Sequence, residues 1–466
     1  MAVVLQVLAW PAWGSAAPAQ GRGRAMPPNI LLIQADDLGY GDLSVFGQTR
    51  FSTPNIDRLA REGTRFTQYY AGSTVCAPSR AALMTGRHSG HASIRGNGGQ
   101  AGDVPLPAAD VTIAEILKGA GYRTAIIGKW GLGQPGTSGM PGQQGFDLAF
   151  GFLDQRHAHR QFTDHLWRNG AQVPVNLETD YANDLFTREA GAFMAQADPR
   201  PFFVYLNYTV PHAEVRVPED SMAPFRGKFE ERPFSNPTAD AQPSGSRPDG
   251  PSLGYRSQPT PFAAFAGMIT RLDRDVGRLA DQLGAQGIDR RTLILFTSDN
   301  GPHKEGGADP AYFHSAGPLR GIKRDLYEGG IRVPMIARWP GTVPAGQVSD
   351  QVWAHWDMLP TLAEFAGAHP PASLDGASMA AVIRGGSRLG HAPLYWEFHE
   401  RGFQQAVRMG RWKAVRLQAG ATLELYDLET DLGEQHDVSA AHPDVVRRME
   451  DYLKTARTDS ELWPAR

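Results

Sequence analysis

Asn29-Ile30-Leu31-Leu32-Ile33-Gln34-Ala35-Asp36-Asp37 is the stretch on which the fold class turns. Its four consecutive aliphatic residues form a run of the kind that is covered on both faces in a parallel sheet, and two carboxylates follow at once. Downstream, Thr53-Pro54 reads as the N-cap and first position of a helix, with an apolar stripe at Ile56, Leu59 and Ala60 and a stop at Gly63. The same grammar recurs. A helix around Ile113, Ile116 and Leu117 is stopped by Gly119, and a strand at Ala125-Ile126-Ile127 runs into Gly128-Lys129-Trp130. Another strand, Phe202-Phe203-Val204-Tyr205, runs into Thr209-Val210-Pro211-His212. From about Phe262 to Leu283 the residues Phe265, Met268, Leu272, Val276, Leu279 and Leu283 recur at three- and four-residue steps, which predicts a long amphipathic helix. It feeds the strand Thr292-Leu293-Ile294-Leu295-Phe296, which ends in Ser298-Asp299-Asn300-Gly301, and Ile331 to Ile336 forms one more apolar strand. Strands alternating with helices predict an α/β fold with a mainly parallel sheet flanked by helices, in which ligands bind at the carboxyl ends of strands.

Two regions depart from this pattern. Between about Glu219 and Thr260 the chain is rich in Pro, Ser, Gly and charge, and reads as a surface excursion rather than a domain. After about Gly390 short strands (Leu394 to Phe398, Ala406 to Met409, Trp412 to Leu417, Leu423 to Leu428) precede a helix from about Pro443 to Ala456, which predicts a smaller C-terminal antiparallel sheet plus helix. The expected division is therefore residues 1–25 as an export signal and linker, 26–388 as the main domain and 389–466 as a C-terminal subdomain. Residues 1–20 combine a short apolar run with Ala17-Pro18-Ala19, suited to signal cleavage, although no basic residue precedes the run. A periplasmic or secreted protein is expected, without a membrane span, since no segment offers the ~20 unbroken apolar residues one needs.

Composition narrows the chemistry. The 466 residues hold 46 Lys plus Arg against 49 Asp plus Glu, a net charge of -3 that provides no basic field for a nucleic acid. The single cysteine, Cys76, excludes both an intramolecular disulfide and a thiolate zinc cluster. Adjacent acids after a strand are ordinarily turn residues, but Asp36, Asp37, Asp299 and Asn300 stand at the ends of two predicted strands of one sheet, where they can converge. An all-oxygen set without sulfur or imidazole suits Ca²⁺ or Mg²⁺ over Zn²⁺. Cys76 precedes a predicted helix through Ala81 to Met84 that Gly86 ends, which sets it beside the positive end of the helix dipole with Arg80 one turn on.

Cys76-Ala77-Pro78-Ser79-Arg80, followed by Ala81, Leu83, Thr85, Gly86 and Arg87, closely resembles the signature of the type I sulfatases, in which the cysteine is converted to formylglycine. Also similar to that family are Ala35 to Asp42, Thr53 to Asp57, Gly128-Lys129-Trp130, Ser298 to Gly301, Leu319 to Lys323 and Tyr327 to Gly330, in the family's order from about Pro28 to Pro340. The resemblance implies an alkaline-phosphatase-like fold and hydrolysis of sulfate esters, with a sulfated sugar as the expected substrate. It implies a cation, Ca²⁺ ahead of Mg²⁺, held by Asp36, Asp37, Asp299 and Asn300 with the modified Cys76 as a further ligand. It implies a formylglycine-generating enzyme as maturation partner, and catalytic roles for Arg80, which orients formylglycine, for Lys129 and Lys323, which neutralise the sulfate, and for His212 on the leaving-group side. Hydrated formylglycine has two hydroxyls on one carbon; one attacks sulfur and the other later expels sulfate. Many members carry His where this chain has Gly131, so His159 and His303 are candidates for the vacated role. Arg95, with His88 and His91, is a further pocket candidate. A phosphate or phosphonate ester hydrolase of the same superfamily and a noncatalytic sulfated-glycan-binding relative are the competing expectations.

Overall fold

The computed structural model describes residues 26–98, 104–241 and 254–466; the expected export signal at 1–25 lies outside them. Eleven strands form one sheet: β1 Asn29–Asp36, β2 Thr64–Tyr70, β3 Arg123–Lys129, β4 Leu148–Phe152, β5 His165–Arg168, β6 Ala171–Pro174, β7 Phe202–Pro211, β8 Thr292–Ser298, β9 Arg332–Arg338, β10 Gln347–Ser349 and β11 Trp353–Ala354. Their order is β10-β2-β9-β8-β1-β7-β3-β4-β5-β6, with β11 also paired to β2. The five central strands, β8-β1-β7-β3-β4, are all parallel, whereas β9 and the β5-β6 hairpin join antiparallel. Every residue of β1 is buried. Its two-residue period sends Leu31 and Ile33 into the core on one face and Ile30 and Leu32 into the core on the other, which is why the run is continuously apolar.

The flanking helices are tied to the sheet by contacts distant in sequence. Pro54–Arg61 begins where the Thr53-Pro54 signal predicts, yet its N-terminal amides are capped from the long helix Pro261–Ala285: Asp273 Oδ1 accepts from the Asn55 and Ile56 N–H groups at 3.0 and 2.8 Å. The Thr53 hydroxyl donates to Asp57 instead. The start of the long helix is in turn capped by Glu231, from the Pro-rich excursion, which accepts from the Phe262 and Ala263 N–H groups at 2.8 and 2.9 Å. The described part of the excursion thus has a definite structural task.

A second sheet is formed by β12 Leu394–Phe398, β13 Gln404–Met409, β14 Trp412–Arg416 and β15 Glu424–Asp427, antiparallel and in sequence order. Trp396, Ala406 and Val415 face the main domain against Tyr70 and Trp356, while Tyr395, Val407 and Ala414 face the helix Pro443–Leu453. Between the two sheets sits a buried ionic cluster. Glu328 pairs with Lys413 (3.1 Å) and Arg332 (3.2 Å) and accepts from the Tyr70 hydroxyl (2.7 Å); Lys413 also pairs with Glu434 at 2.8 Å. Arg408 of β13 donates to the same tyrosine oxygen.

Candidate active site

The carboxyl ends of β1, β3, β7 and β8 meet at one point, and each strand delivers one or two polar side chains there. Asp37 turns sharply out of β1 in the left-handed region (φ 62°), and its N–H donates to Asp299 Oδ1 at 3.0 Å. Leu38 N–H donates to Ser298 Oγ at 2.9 Å, and Asn300 Nδ2 donates to Asp37 Oδ1 at 2.7 Å. These bonds fasten the loop after β1 to the end of β8 and the loop after it, a separation of 260 to 263 residues that the parallel pairing of the two strands closes.

Cations match the carboxylates one for one. Lys129 Nζ lies 2.6 Å from Asp36 Oδ2 and Lys323 Nζ lies 2.7 Å from Asp37 Oδ2. Arg80 donates Nε and Nη2 to Asp299 Oδ2 at 3.1 and 2.8 Å, and Nη1 to the Lys129 carbonyl at 2.6 Å. All six side chains are buried. Burial works against the Asp36 charge, but Lys129, Arg80 and Lys323 together hold its carboxyl well below the usual range. Burial also opposes the two ammonium groups; Asp36 outweighs it at Lys129, and Asp37 outweighs it at Lys323, which is held well above its ordinary value. Asp299 is pushed the other way, up to about 6, by burial and by the neighbouring Asp36 charge.

Cys76 is the first residue of the helix Cys76–Thr85, buried along its whole length and closed by Gly86 at φ 69°. Ala77 N–H is capped by Asn97 Oδ1 at 2.8 Å. The sulfur lies 3.4 Å from Asp36 Oδ1 and 4.0 Å from Asp37 Oδ1, and Cys76 is only 1% exposed. Burial and the Asp36 charge push its thiol well above the ordinary range, so an unmodified Cys76 carries no thiolate at neutral pH. Asp36, Asp37, Cys76 and His212 each bring one ligand atom to within 4.8 Å of the others. Asn300 Oδ1 is buried there without a hydrogen-bond partner, a donor oxygen left for a cation. Because the three carboxylates and three cations cancel, a bound divalent ion would leave the site with about two positive charges for an anion. The residues present therefore fit a hard divalent cation.

His212 follows β7. Its Nε2 faces Lys323 Nζ at 3.0 Å and Asp37 Oδ2 at 3.4 Å, while Nδ1 points at the Ala213 carbonyl. Burial and the Lys323 charge hold it well below its ordinary pKa, so the ring is neutral, with Nε2 accepting from the ammonium. His159 stacks on it, ring centroids 4.6 Å apart.

Not every predicted residue gathers at this point. His303 donates Nε2 to the Pro211 carbonyl (2.9 Å) and accepts the Glu305 N–H on Nδ1 (3.0 Å); both ring nitrogens are used in holding the loop, which leaves neither for a substrate. Arg95, expected to line the pocket, is buried against the second sheet, with Glu397 at 2.9 Å and the Thr458 carbonyl at 3.0 Å. His88 and His91 pair with Asp375. At Gly131 the backbone is left-handed (φ 74°), and a Cβ there would stand 2.1 Å from Gln155 Nε2. Gln155 thus fills the space over the glycine, which neither periodicity nor motif signals. A cavity of about 760 Å³ opens above Cys76, His159, His212 and Lys323, reaching Gln155, Arg156 and Arg324.

The family model described as Sulfatase matches residues 28–368, and one described as N-sulphoglucosamine sulphohydrolase, C-terminal, matches residues 322–459. N-acetylgalactosamine-6-sulfatase of Sus scrofa is 33% identical over 432 residues, covering 86% of this chain and 74% of its own length. Arylsulfatase A of Homo sapiens is 33% identical over 481 residues, covering 92% and 88%. Among solved structures, that of Ps i-CgsB superposes with a TM-score of 0.78 at 31% identity over 94% of this chain and 95% of its own; the same protein in complex with k-i-k-neocarrahexaose gives 0.77 at 30%, covering 95% of each. A family that generally employs a metal ion and a cysteine-derived formylglycine agrees with a buried cysteine set among oxygen ligands. With the fold, the site and these likenesses in agreement, the chain belongs to the sulfatase family and is a hydrolase of sulfuric esters.

Proposed function

We propose that this chain removes sulfate from O-sulfated carbohydrate, using formylglycine formed from Cys76 and a Ca²⁺ ion held by Asp36, Asp37, Asp299 and Asn300. The observation that carries the reading is the position of Cys76: at the start of a buried helix, 3.4 Å from Asp36, and open to a cavity far larger than a sulfate group. The cation and the hydrated aldehyde supply, respectively, charge neutralisation and a hydroxyl nucleophile.

The chain's own residues do the rest. Arg80 clamps Asp299 to the Lys129 carbonyl, which fixes the nucleophile's helix against the ends of β3 and β8. Lys129 and Lys323 hold two positive charges beside the position of the sulfuryl oxygens, where charge shifts during transfer. On the leaving-group side stands the His212 and Lys323 pair; the ammonium is its proton-bearing member, and a departing alkoxide is protonated from this pair. A carbohydrate substrate is supported by the polar walls of the cavity and by the oligosaccharide named with the Ps i-CgsB structure. Maturation by a formylglycine-generating enzyme, export to the periplasm or medium, and a division into residues 26–388 and 389–466 complete the reading. The last is supported by the separate four-stranded sheet, and no helix among the described residues is long and apolar enough to cross a membrane.

The test is protein coexpressed with a formylglycine-generating enzyme, with position 76 verified by peptide mass spectrometry. Release of sulfate from an aryl sulfate and from sulfated saccharides is compared with cleavage of the matching phosphate and phosphonate esters. Calcium-dependent sulfate release, reduced roughly 10⁴-fold or more in Cys76→Ala, is expected. Faster phosphoester cleavage would replace the reading with the phosphohydrolase one. Glycan binding without turnover of any ester, formylglycine being present, would replace it with a binding protein.

A further inference from the structure

Most of the cavity's fixed charge is spoken for. Lys323 pairs with Asp37, and Arg324 lies between Glu305 at 2.6 Å and Glu400 at 3.1 Å. Of the three cations that line the cavity, only Arg156 has no carboxylate within ion-pair distance among the described residues. An unpaired guanidinium on a cavity wall offers a planar fork of donors that matches an oxyanion.

Its backbone is held firmly. Arg156 leads into the single helical turn His157–His159, whose His159 N–H donates to the Arg156 carbonyl at 3.1 Å and whose His157 N–H donates to Asp154 Oδ1 at 2.7 Å. On one side of Arg156 the turn is pinned by Gln155, seated over Gly131 with Nε2 3.3 Å from its carbonyl. On the other it is pinned by His159, stacked on His212. The seat depends on glycine: with a Cβ at 131, 2.1 Å from the Gln155 amide, the Gln155 side chain could not lie there. The missing side chain at 131 is therefore what admits the Gln155 side chain beside Arg156.

We infer that Arg156, held at the cavity by the seat of Gln155 on Gly131, is a specificity residue that binds a second anionic group of the substrate, a sulfate or carboxylate on the sugar next to the one being desulfated. This inference rests on the proposed hydrolase reading. It assigns the enzyme to saccharides carrying at least two anionic groups, and it gives the Gly131 departure a purpose separate from the chemistry at Cys76.

Three substrates test it: a disaccharide monosulfate, the same disaccharide with a second sulfate on the adjoining sugar, and one with a carboxylate in that place. The quantity read is the ratio of kcat/KM for each dianion to that for the monosulfate within one protein sample, which cancels any difference in active fraction. A ratio above one for at least one dianion is expected in the native enzyme, falling roughly ten- to a hundredfold in Arg156→Ala, the range of a charge-assisted hydrogen bond. The loss should lie in KM, and Arg156→Lys should recover part of it. Which dianion is preferred identifies the group. The same ratio in native enzyme and Arg156→Ala, or no native preference for either dianion, would overturn the inference. If none of the three esters is hydrolysed, the hydrolase reading has failed for these substrates, and the ratio is read instead as Kd by calorimetry. A preference lost in Arg156→Ala then supports the anion site, and an unchanged or absent one rejects it.

Discussion

Two buried ionic clusters lie on opposite sides of this molecule's chemistry. One gathers Asp36, Asp37, Asp299, Lys129, Lys323 and Arg80 at the ends of the central strands; the other gathers Glu328, Glu434, Lys413, Arg332 and Arg408 between the two sheets. Both are shielded from solvent, and both set carboxylates against cations. They differ in what they face. The first borders a cavity, whereas in the second Lys413 stands between Glu328 and Glu434 at 3.1 and 2.8 Å, and the Tyr70 hydroxyl bonds both Glu328 and Arg408. Buried charge is costly in either place. In the first cluster it is poised for an external anion, and in the second it joins the two sheets.

The contrast can be broken with the same substitution on both sides. Lys413→Met leaves Glu328 and Glu434 short of a counter-charge and should lower unfolding free energy by about 3–5 kcal/mol, while the fraction still folded turns over at the native kcat. Urea titration combined with active-site counting checks this. Lys129→Met and Lys323→Met should reverse the pattern, lowering kcat by roughly 10²–10³-fold, the cost of a lost transition-state charge. A fall in kcat for Lys413→Met as large as that for Lys323→Met would erase the distinction.

Calcium sharpens it. Saturation at about a hundred times Kd should add about 2.7 kcal/mol of stability, an increment abolished by EGTA and by Asp299→Asn but retained in Glu434→Gln. Scanning calorimetry with and without EGTA reads all three.

The smallest effect concerns a buried acid with no cation beside it. Asp42 accepts the Gly39 N–H at 2.8 Å, and burial pushes its pKa up to about 7. Below pH 3.8 folded and unfolded chains both hold this proton and the group costs nothing. Between pH 3.8 and about 7 only the unfolded chain releases it, so this contribution to stability falls as pH rises and is level above 7. Asp42→Asn should flatten that slope and raise the stability at pH 8. A paired carboxylate such as Asp36, held low by Lys129, Arg80 and Lys323 against its burial, has the opposite slope.

What could be read from the sequence follows the range of the interactions. β1, β7, β8 and the long helix are written in local periodicity; Asp36, Asp37, His212, Asp299 and Asn300 stand at the ends of those strands, Lys129 at the end of β3, Cys76 at the head of its helix and Lys323 in a short motif of the loop before β9, so the gathering at the strand ends was legible. β2 was not, because Thr64, Arg65, Thr67 and Gln68 interrupt its aromatics, and its place is set by antiparallel pairing with β9 far along the chain. Likewise Arg95 carries no mark of its partner Glu397, nor Asn55 of Asp273. Gln155 became visible only when Gly131 had been given a backbone conformation and a neighbour.

The helix that begins at Cys76 has one more consequence, for the order of events in the cell. Cys76, Pro78 and Arg80, the three fixed positions of the motif, are all buried in the native chain, locked between Asp36, Asp299 and Lys129. Under the proposed maturation, an enzyme that must grip those residues to convert the cysteine would find them only before the parallel strands close. Modification would then race folding, and a chain that folds first would keep an inert thiol. On that reading the yield of active protein is set by the race and not by any treatment of the finished fold.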